Sequence, residues 1–261
     1  MRRSLQSLKL LTCLALSLLC ACVREDDQSA PVVNGWNYAQ SHSPTYIVRP
    51  GDTLYSIAWA FGLDYRSLAL NNDLQTPYHI NSGQKLNMVI APNLRPRPTS
   101  PVIEHPTQQH VVVSAHRVSE SSLNKTPTRL AVQKSNFNAP ITRWIMPARG
   151  RIVKGFSALS WGNKGINVSG IYGESVVASA PGEVVYAGAG IRGYGNLIIL
   201  KHNDSFLSAY AYNKVNLVKE GAWVRQGQPI ATMGKTDAGN VLLHFEIRRN
   251  GQAVNPLVYL K

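Results

Sequence analysis

The chain of 261 residues is 44% apolar and 16% charged, and 27 Lys and Arg against 14 Asp and Glu give it a formal charge of +13. That composition excludes wholesale disorder. Its three cysteines, Cys13, Cys20 and Cys22, all lie near the N-terminus, which excludes a disulfide framework and any zinc site with cysteine ligands further along.

The chain opens with Arg2, Arg3 and Lys9, followed by the apolar run Leu10 to Leu19. The run is too short to span a bilayer as a helix and reads as the core of an export signal. It ends Leu19-Cys20-Ala21-Cys22, which resembles a bacterial lipobox with Cys22 as the modified residue. Cys20 fits less well, because Leu19 stands where a small residue belongs. The resemblance implies a signal peptide over 1–21, a lipidated tether over 22–44 and, with Val23 rather than Asp after Cys22, sorting to the outer membrane. Several acyl chains on one residue anchor firmly, at about 0.8 kcal/mol per buried methylene. Removing 1–21 leaves a charge of +10, of which +8 sits in residues 141–261. A polycation binds polyanions of any kind. An exported chain with no basic helix, zinc finger or aromatic RNA-binding motif points to anionic cell-wall polymer and not to nucleic acid.

Residues 45–91 alternate elements at short range. Tyr46-Ile47-Val48 reads as a strand and Pro50-Gly51-Asp52 as a turn. Thr53 caps a helix in which Leu54, Ile57, Ala58 and Phe61 share a face, and Gly62 ends it. Asp64 caps a second helix through Tyr65, Leu68 and Ala69, which Asn71-Asn72 stops. Leu86, Met88 and Ile90 then alternate as a strand. This β-α-α-β order, with the text YIVRPGDTLYSIAWAFGLDYRSLALNND and INSGQKL, resembles a LysM domain. The resemblance implies binding of N-acetylglucosamine-containing glycans such as peptidoglycan. The sugar groove would lie between Gly51, Asp52, Thr53 and Leu54 on one side and Ile80, Asn81, Ser82 and Gly83 on the other.

Residues 92–140 hold seven of the 15 prolines and none of the 20 glycines, and no helical or strand period persists there. They read as a disordered, Pro-rich linker, extended in tendency and able to reach about 150 Å at most. His105, His110 and His116 are spaced five and six apart, which matches no helical metal face, so they read as solvated linker side chains.

From residue 141 onward, short apolar runs recur between glycine turns: Arg151 to Phe156, Ser175 to Ala180, Glu183 to Ala187, Leu197 to His202, Phe206 to Tyr212, Pro229 to Thr232 and Leu242 to Arg248. No long helical period appears, so 141–261 reads as an all-β domain. Gly188-Ala-Gly190-Ile-Arg-Gly193 has dinucleotide-site spacing but is followed by a strand instead of a helix, so it is a turn. The VRQGQPI hairpin lacks the lysine of a lipoyl or biotinyl carrier.

The segments WGNKGINVSG, GYGNLIILKH, SAYAYN and LLHFEIRRNGQAVNPLVYL, taken in order, resemble the LytM-type or M23 peptidase domain, whose fold is a duplicated hybrid motif of β-strands. Active members hold one zinc ion through H-x-x-x-D and the last histidine of H-x-H. Three ligands and an open position let zinc polarise a carbonyl and acidify its water. Two further histidines assist. Carried onto this chain, the five positions fall on Asn163, Asn167, Tyr212, Leu242 and His244, of which only His244 matches. Asn is neutral and Leu offers no lone pair, so one histidine gives too little affinity for stable zinc. The expectation is no metal, no cofactor and no catalytic residue. His244 is then either a hydrogen-bonded structural histidine or a contact for a partner.

A lipobox, one LysM module, a Pro-rich linker and a degenerate LytM domain, with RGYGNLIILKHND especially close, resemble the NlpD-type murein hydrolase activators. The resemblance implies a non-enzymatic protein that binds a zinc-dependent N-acetylmuramoyl-L-alanine amidase through its former substrate groove and displaces an autoinhibitory element. It implies action in daughter-cell separation and enrichment at the division septum. The competing readings are a passive peptidoglycan-binding tether and, against the chemistry above, a metallo-endopeptidase.

Overall fold

The computed structural model describes residues 43–91, 141 and 143–261. The signal segment, the Cys22 lipidation site, most of the tether and the 92–140 linker lie outside the described residues.

The LysM segment forms strand β1 (Thr45–Ile47), helices α1 (Leu54–Phe61) and α2 (Tyr65–Leu70), and strand β2 (Lys85–Asn87), with β1 and β2 antiparallel. The capping chemistry accounts for the helix limits. Thr53 accepts from the Ser56 N–H while the Ser56 hydroxyl accepts from the Thr53 N–H, satisfying two donors at the start of α1. Gly62 ends α1 in the left-handed region at φ 66°, where a Cβ would be strained. Asp64 accepts from the Arg66 N–H and starts α2. The second strand is shorter than its alternation suggested. It stops at Asn87, where the Asn72 side chain pairs with that residue's backbone.

The C-terminal segment runs β3 (Ile152–Lys154), β4 (Ile166–Ser169), β5 (Ser175–Val177), β6 (Gly182–Gly188), β7 (Asn196–Lys201), β8 (Phe206–Asn216), β9 (Trp223–Val224), β10 (Pro229–Met233), β11 (Leu242–Arg249) and β12 (Gln252–Val254), closed by a 3-10 turn at Pro256–Val258. They make one sheet ordered β3-β4-β11-β8-β7-β6-β9, with β10 pairing β5 and β8, and β12 pairing β11. The seven strands read from the sequence are all present; β4, β9 and β12 are additional.

Alternation along β11 sends Leu243, Phe245 and Ile247 into a core with Ile166, Val168, Ile198, Leu200 and Tyr210. His244, Glu246 and Arg248 therefore point to the opposite face, with Leu207, Ala209 and Ala211 of β8 and Leu197 and Ile199 of β7. That face is not open to solvent. One apolar cluster runs from Leu54, Ile57 and Trp59 of the LysM module into Val185, Ile199, Leu207 and Ala209 of the sheet. Along β11 every residue but Arg249 is buried, as expected of a strand covered on both sides. The LysM module is thus packed on the sheet.

Candidate functional site

Strand pairing sets the site. β4 and β11 place Asn167 directly opposite His244, and β11 and β8 place His244 opposite Ala211. Gly165 admits this approach, because a Cβ there would lie 2.0 Å from the Phe245 carbonyl oxygen. The His244 Nδ1 lies 2.7 Å from Asn167 Oδ1, and its Nε2–H donates to Glu246 Oε1 at 3.0 Å. Tyr194 and Tyr212 flank the imidazole edge-on, with centroids at 6.0 and 6.3 Å. Leu242, two residues before His244, is nearly buried on the same strand face.

Tyr212 is set by an irregular backbone. It sits at φ 61°, its N–H donates to the Tyr194 carbonyl at 2.8 Å, and its own carbonyl accepts from Gly234 at 2.9 Å. A non-glycine residue there costs about 1–2 kcal/mol. Burial, with Asp237 and Glu246 nearby, pushes its hydroxyl up to about 12, so it stays a neutral donor.

Asn163 stands apart from this group. Its amide donates to the carbonyls of Gly155 at 3.0 Å and Gly165 at 2.9 Å, bracing the loop between β3 and β4. The side chain is spent on the backbone.

Glu246 is the hub of the face. It is fully buried, accepts from Tyr194 at 2.7 Å and from His244, and pairs with Arg248 Nε at 3.1 Å. Burial opposes its charge, but Arg248, His244 and Tyr194 together hold it down to about 2. Arg248 in turn stacks over Trp59 of α1 at 3.7 Å and donates to the Trp59 carbonyl at 2.6 Å. A continuous contact chain therefore runs Asn167, His244, Glu246, Arg248, Trp59. Sequence reading singled out His244. It missed Arg248, Tyr194 and Trp59. The available signal was α1 itself, LYSIAWAF, which is apolar nearly all round and so is covered on both sides.

These residues do not fit the zinc ion of catalytic M23 domains. Both His244 nitrogens are engaged, Asn167 offers a neutral amide and the Asn163 amide is committed elsewhere. Among the described residues, no three His, Cys, Asp or Glu side chains gather to hold a metal.

At the LysM loops, Gly51, Asn81, Ser82 and Gly83 are exposed, and the two loops adjoin through Gly83 N–H to the Val48 carbonyl at 2.8 Å. Asp52 is held by Tyr46 at 2.7 Å and by the Arg49 N–H at 2.8 Å. Ile80 is half-buried. Leu54 is a core side chain, 1% exposed, leaving only its backbone for a ligand. The Thr53 hydroxyl is fully used: it accepts from Ser56 and donates to the Val185 carbonyl of β6 at 3.1 Å.

Residues 46–88 match the LysM domain model and residues 162–256 match the model of Peptidase family M23. The chain is thus a LysM protein carrying an M23-type domain. The murein hydrolase activator NlpD of Escherichia coli (strain K12) is 39% identical over 255 residues, 83% of this chain and 67% of that protein. The lipoprotein NlpD/LppB homolog of Pseudomonas aeruginosa is 39% identical over 272 residues, covering 96% and 91%, and the outer membrane antigenic lipoprotein B of Histophilus somni is 40% identical over 241 residues, covering 89% and 71%. The chain belongs to the NlpD family of murein hydrolase activators.

Proposed function

We propose that this protein activates peptidoglycan hydrolysis without hydrolysing it. It is a lipoprotein held at the outer membrane through Cys22 and on peptidoglycan through its LysM module. Its target is a periplasmic, zinc-dependent N-acetylmuramoyl-L-alanine amidase, engaged during daughter-cell separation at the septum. The observation that carries this reading is the state of His244. In place of an open metal position, the site holds a closed network in which each imidazole nitrogen lies within hydrogen-bond distance of an oxygen, Asn167 Oδ1 or Glu246 Oε1. Such a network supports recognition and leaves neither imidazole nitrogen free to ligate a metal. Relatives of 38–40% identity bearing the name activator, lipoprotein or outer membrane lipoprotein support the same reading.

Activation requires only that the groove bind the active form of the amidase more tightly than the autoinhibited one. Each tenfold preference corresponds to about 1.4 kcal/mol. Asn167, Tyr212, Leu242 and His244, with the flanking loops that Asn163 braces, form the proposed contact region. The net +8 of residues 141–261 steers an acidic partner or holds the domain on the anionic wall.

The test is dye release from labelled peptidoglycan sacculi by the purified chain, alone and with each amidase of the source organism at matched zinc. The expected result is silence alone and stimulated release with one amidase. Chelator-sensitive release by the chain alone would sink the non-enzymatic reading. Silence in every arm would favour a passive tether.

A further inference from the structure

The LysM module is seated on the same sheet face that carries His244, and the contacts are specific. Arg248, bonded to the Glu246 that also holds His244, stacks on Trp59 and donates to its carbonyl. Arg66 donates to Asn250 Oδ1 at 2.9 Å, Gln252 to the Gly62 carbonyl at 3.3 Å and Thr53 to the Val185 carbonyl at 3.1 Å. At the tip of the β11–β12 hairpin, Gly251 at φ 77° passes so close that a Cβ would lie 2.5 Å from Asp64 N. Two surfaces are consumed by this seating. One is the apolar floor beyond His244, made by Leu207, Ala209 and Ile199. The other is the Thr53 hydroxyl of the module's own glycan loop, bonded to β6, while Gly51 and Asp52 of that loop are narrowed to an open cleft of about 490 Å³ facing Tyr186, Ala187 and Gly188.

We propose that the seated LysM module is an intramolecular latch, in which glycan binding by the module and partner docking in the groove both favour the same unseated state. The proposal rests on the groove-docking reading given above. Two ligands that select one state must strengthen each other, and the effect is reciprocal. Peptidoglycan captured by the module therefore exposes the groove floor where the wall is to be cut. Off the wall, the module covers the floor and the activator is quiet. Residues 92–140 are long enough to keep an unseated module attached.

Gly251→Asn is the variant of choice. Asn tolerates the left-handed backbone, and its Cβ drives against the Leu63–Asp64 backbone and wedges the module off. Trp59→Ala reaches the same end by removing the stack on Arg248. Three quantities are read on the full chain: hydroxyl-radical oxidation of Trp59 and Tyr194, affinity for an N-acetylglucosamine pentamer, and stimulation of the amidase. The expected result is that either variant exposes Trp59 or Tyr194 to oxidation and binds the pentamer about tenfold more tightly than wild type, the gain being the seating equilibrium removed. Saturating pentamer should expose both residues in wild type and raise its amidase stimulation, while the variants stimulate without pentamer. Unchanged pentamer affinity in a variant whose Tyr194 has become reactive overturns the latch, as does wild-type Tyr194 that stays protected in saturating pentamer. A tenfold gain in pentamer affinity, with no amidase stimulated by any chain, upholds the latch and overturns the groove-docking reading instead.

Discussion

Two buried ionisable side chains make the acid response of this protein legible residue by residue. His202 is enclosed between the Pro181 carbonyl, 2.7 Å from Nδ1, and the Ser208 hydroxyl, 2.7 Å from Nε2; Ser208 continues to Tyr210 and so to the Ser179 N–H. Burial pushes its pKa down from 6.5 to about 4, against the pull of the Pro181 carbonyl. The neutral form is thus preferred on folding. The stability it confers is complete above 6.5 and is lost as the pH falls from there towards 4. The integrated loss is about 3 kcal/mol. Urea denaturation between pH 7 and 4 should show it, and His202→Asn should flatten that limb. Glu246 acts in a lower window. Held near 2, it contributes stability that is present above its ordinary 4.5 and lost as the pH falls towards 2. Arg248→Ala should be costlier than any surface substitution, by about 3 kcal/mol in the same measurement, because it leaves the Glu246 carboxylate buried without its guanidinium. A variant that unfolds at the wild-type urea concentration would show that Glu246 is relieved from elsewhere.

At the scale of elements, the decisive crossing is β4 on β11, because it sets Asn167 against His244. Gly165→Ala should push the two strands apart, with a loss on the order of 3 kcal/mol by overpacking against the Phe245 carbonyl. The same change should weaken amidase stimulation, since Asn167 moves with its strand. Wild-type stimulation from a stably folded G165A chain would mean that the Asn167–His244 contact is not part of the docking surface. β4 is also the element the sequence hid. Its four residues, Ile166–Ser169, stand between Gly165 and Gly170 and alternate apolar inward with Asn167 and Ser169 outward. They read as turn text until the partner strand is known. The long runs in β7, β8 and β11 were readable because apolar residues recur along them between glycine turns, and the helix limits at Thr53, Gly62 and Asp64 because capping is local chemistry. Five positions were carried over from the resemblance as a motif. Their separate fates were not readable: only the fold shows Asn163 turned to the backbone while Asn167 meets His244. Arg248 and Trp59 were opaque for a related reason. A basic residue near the end of β11 and a tryptophan off the apolar stripe of α1 acquire meaning only when two segments nearly 190 residues apart are brought together.

For the whole molecule, the proposed function invokes three attachments of different physical kind: a lipid in the outer membrane, a glycan-binding module on the wall, and a C-terminal domain of charge +8. The last of these is salt-sensitive and the second is not. Raising the salt from 50 to 500 mM should therefore reduce sedimentation of the chain with sacculi only in part. The residual fraction should be competed away by N-acetylglucosamine oligomer. Complete release by salt alone would assign wall binding to charge and remove the LysM module from the account. The seating of one module on the other also has a consequence in time. The chain is made N-terminus first, so the LysM fold is complete once residue 91 has emerged, while the strand that receives Trp59 ends at Arg249. For the span of 158 residues of synthesis (249 − 91), Trp59 has nowhere to dock. Any chaperone that escorts the newborn chain meets the module with that face bare, and the last hairpin to form, β11 to β12, is the one that closes over it.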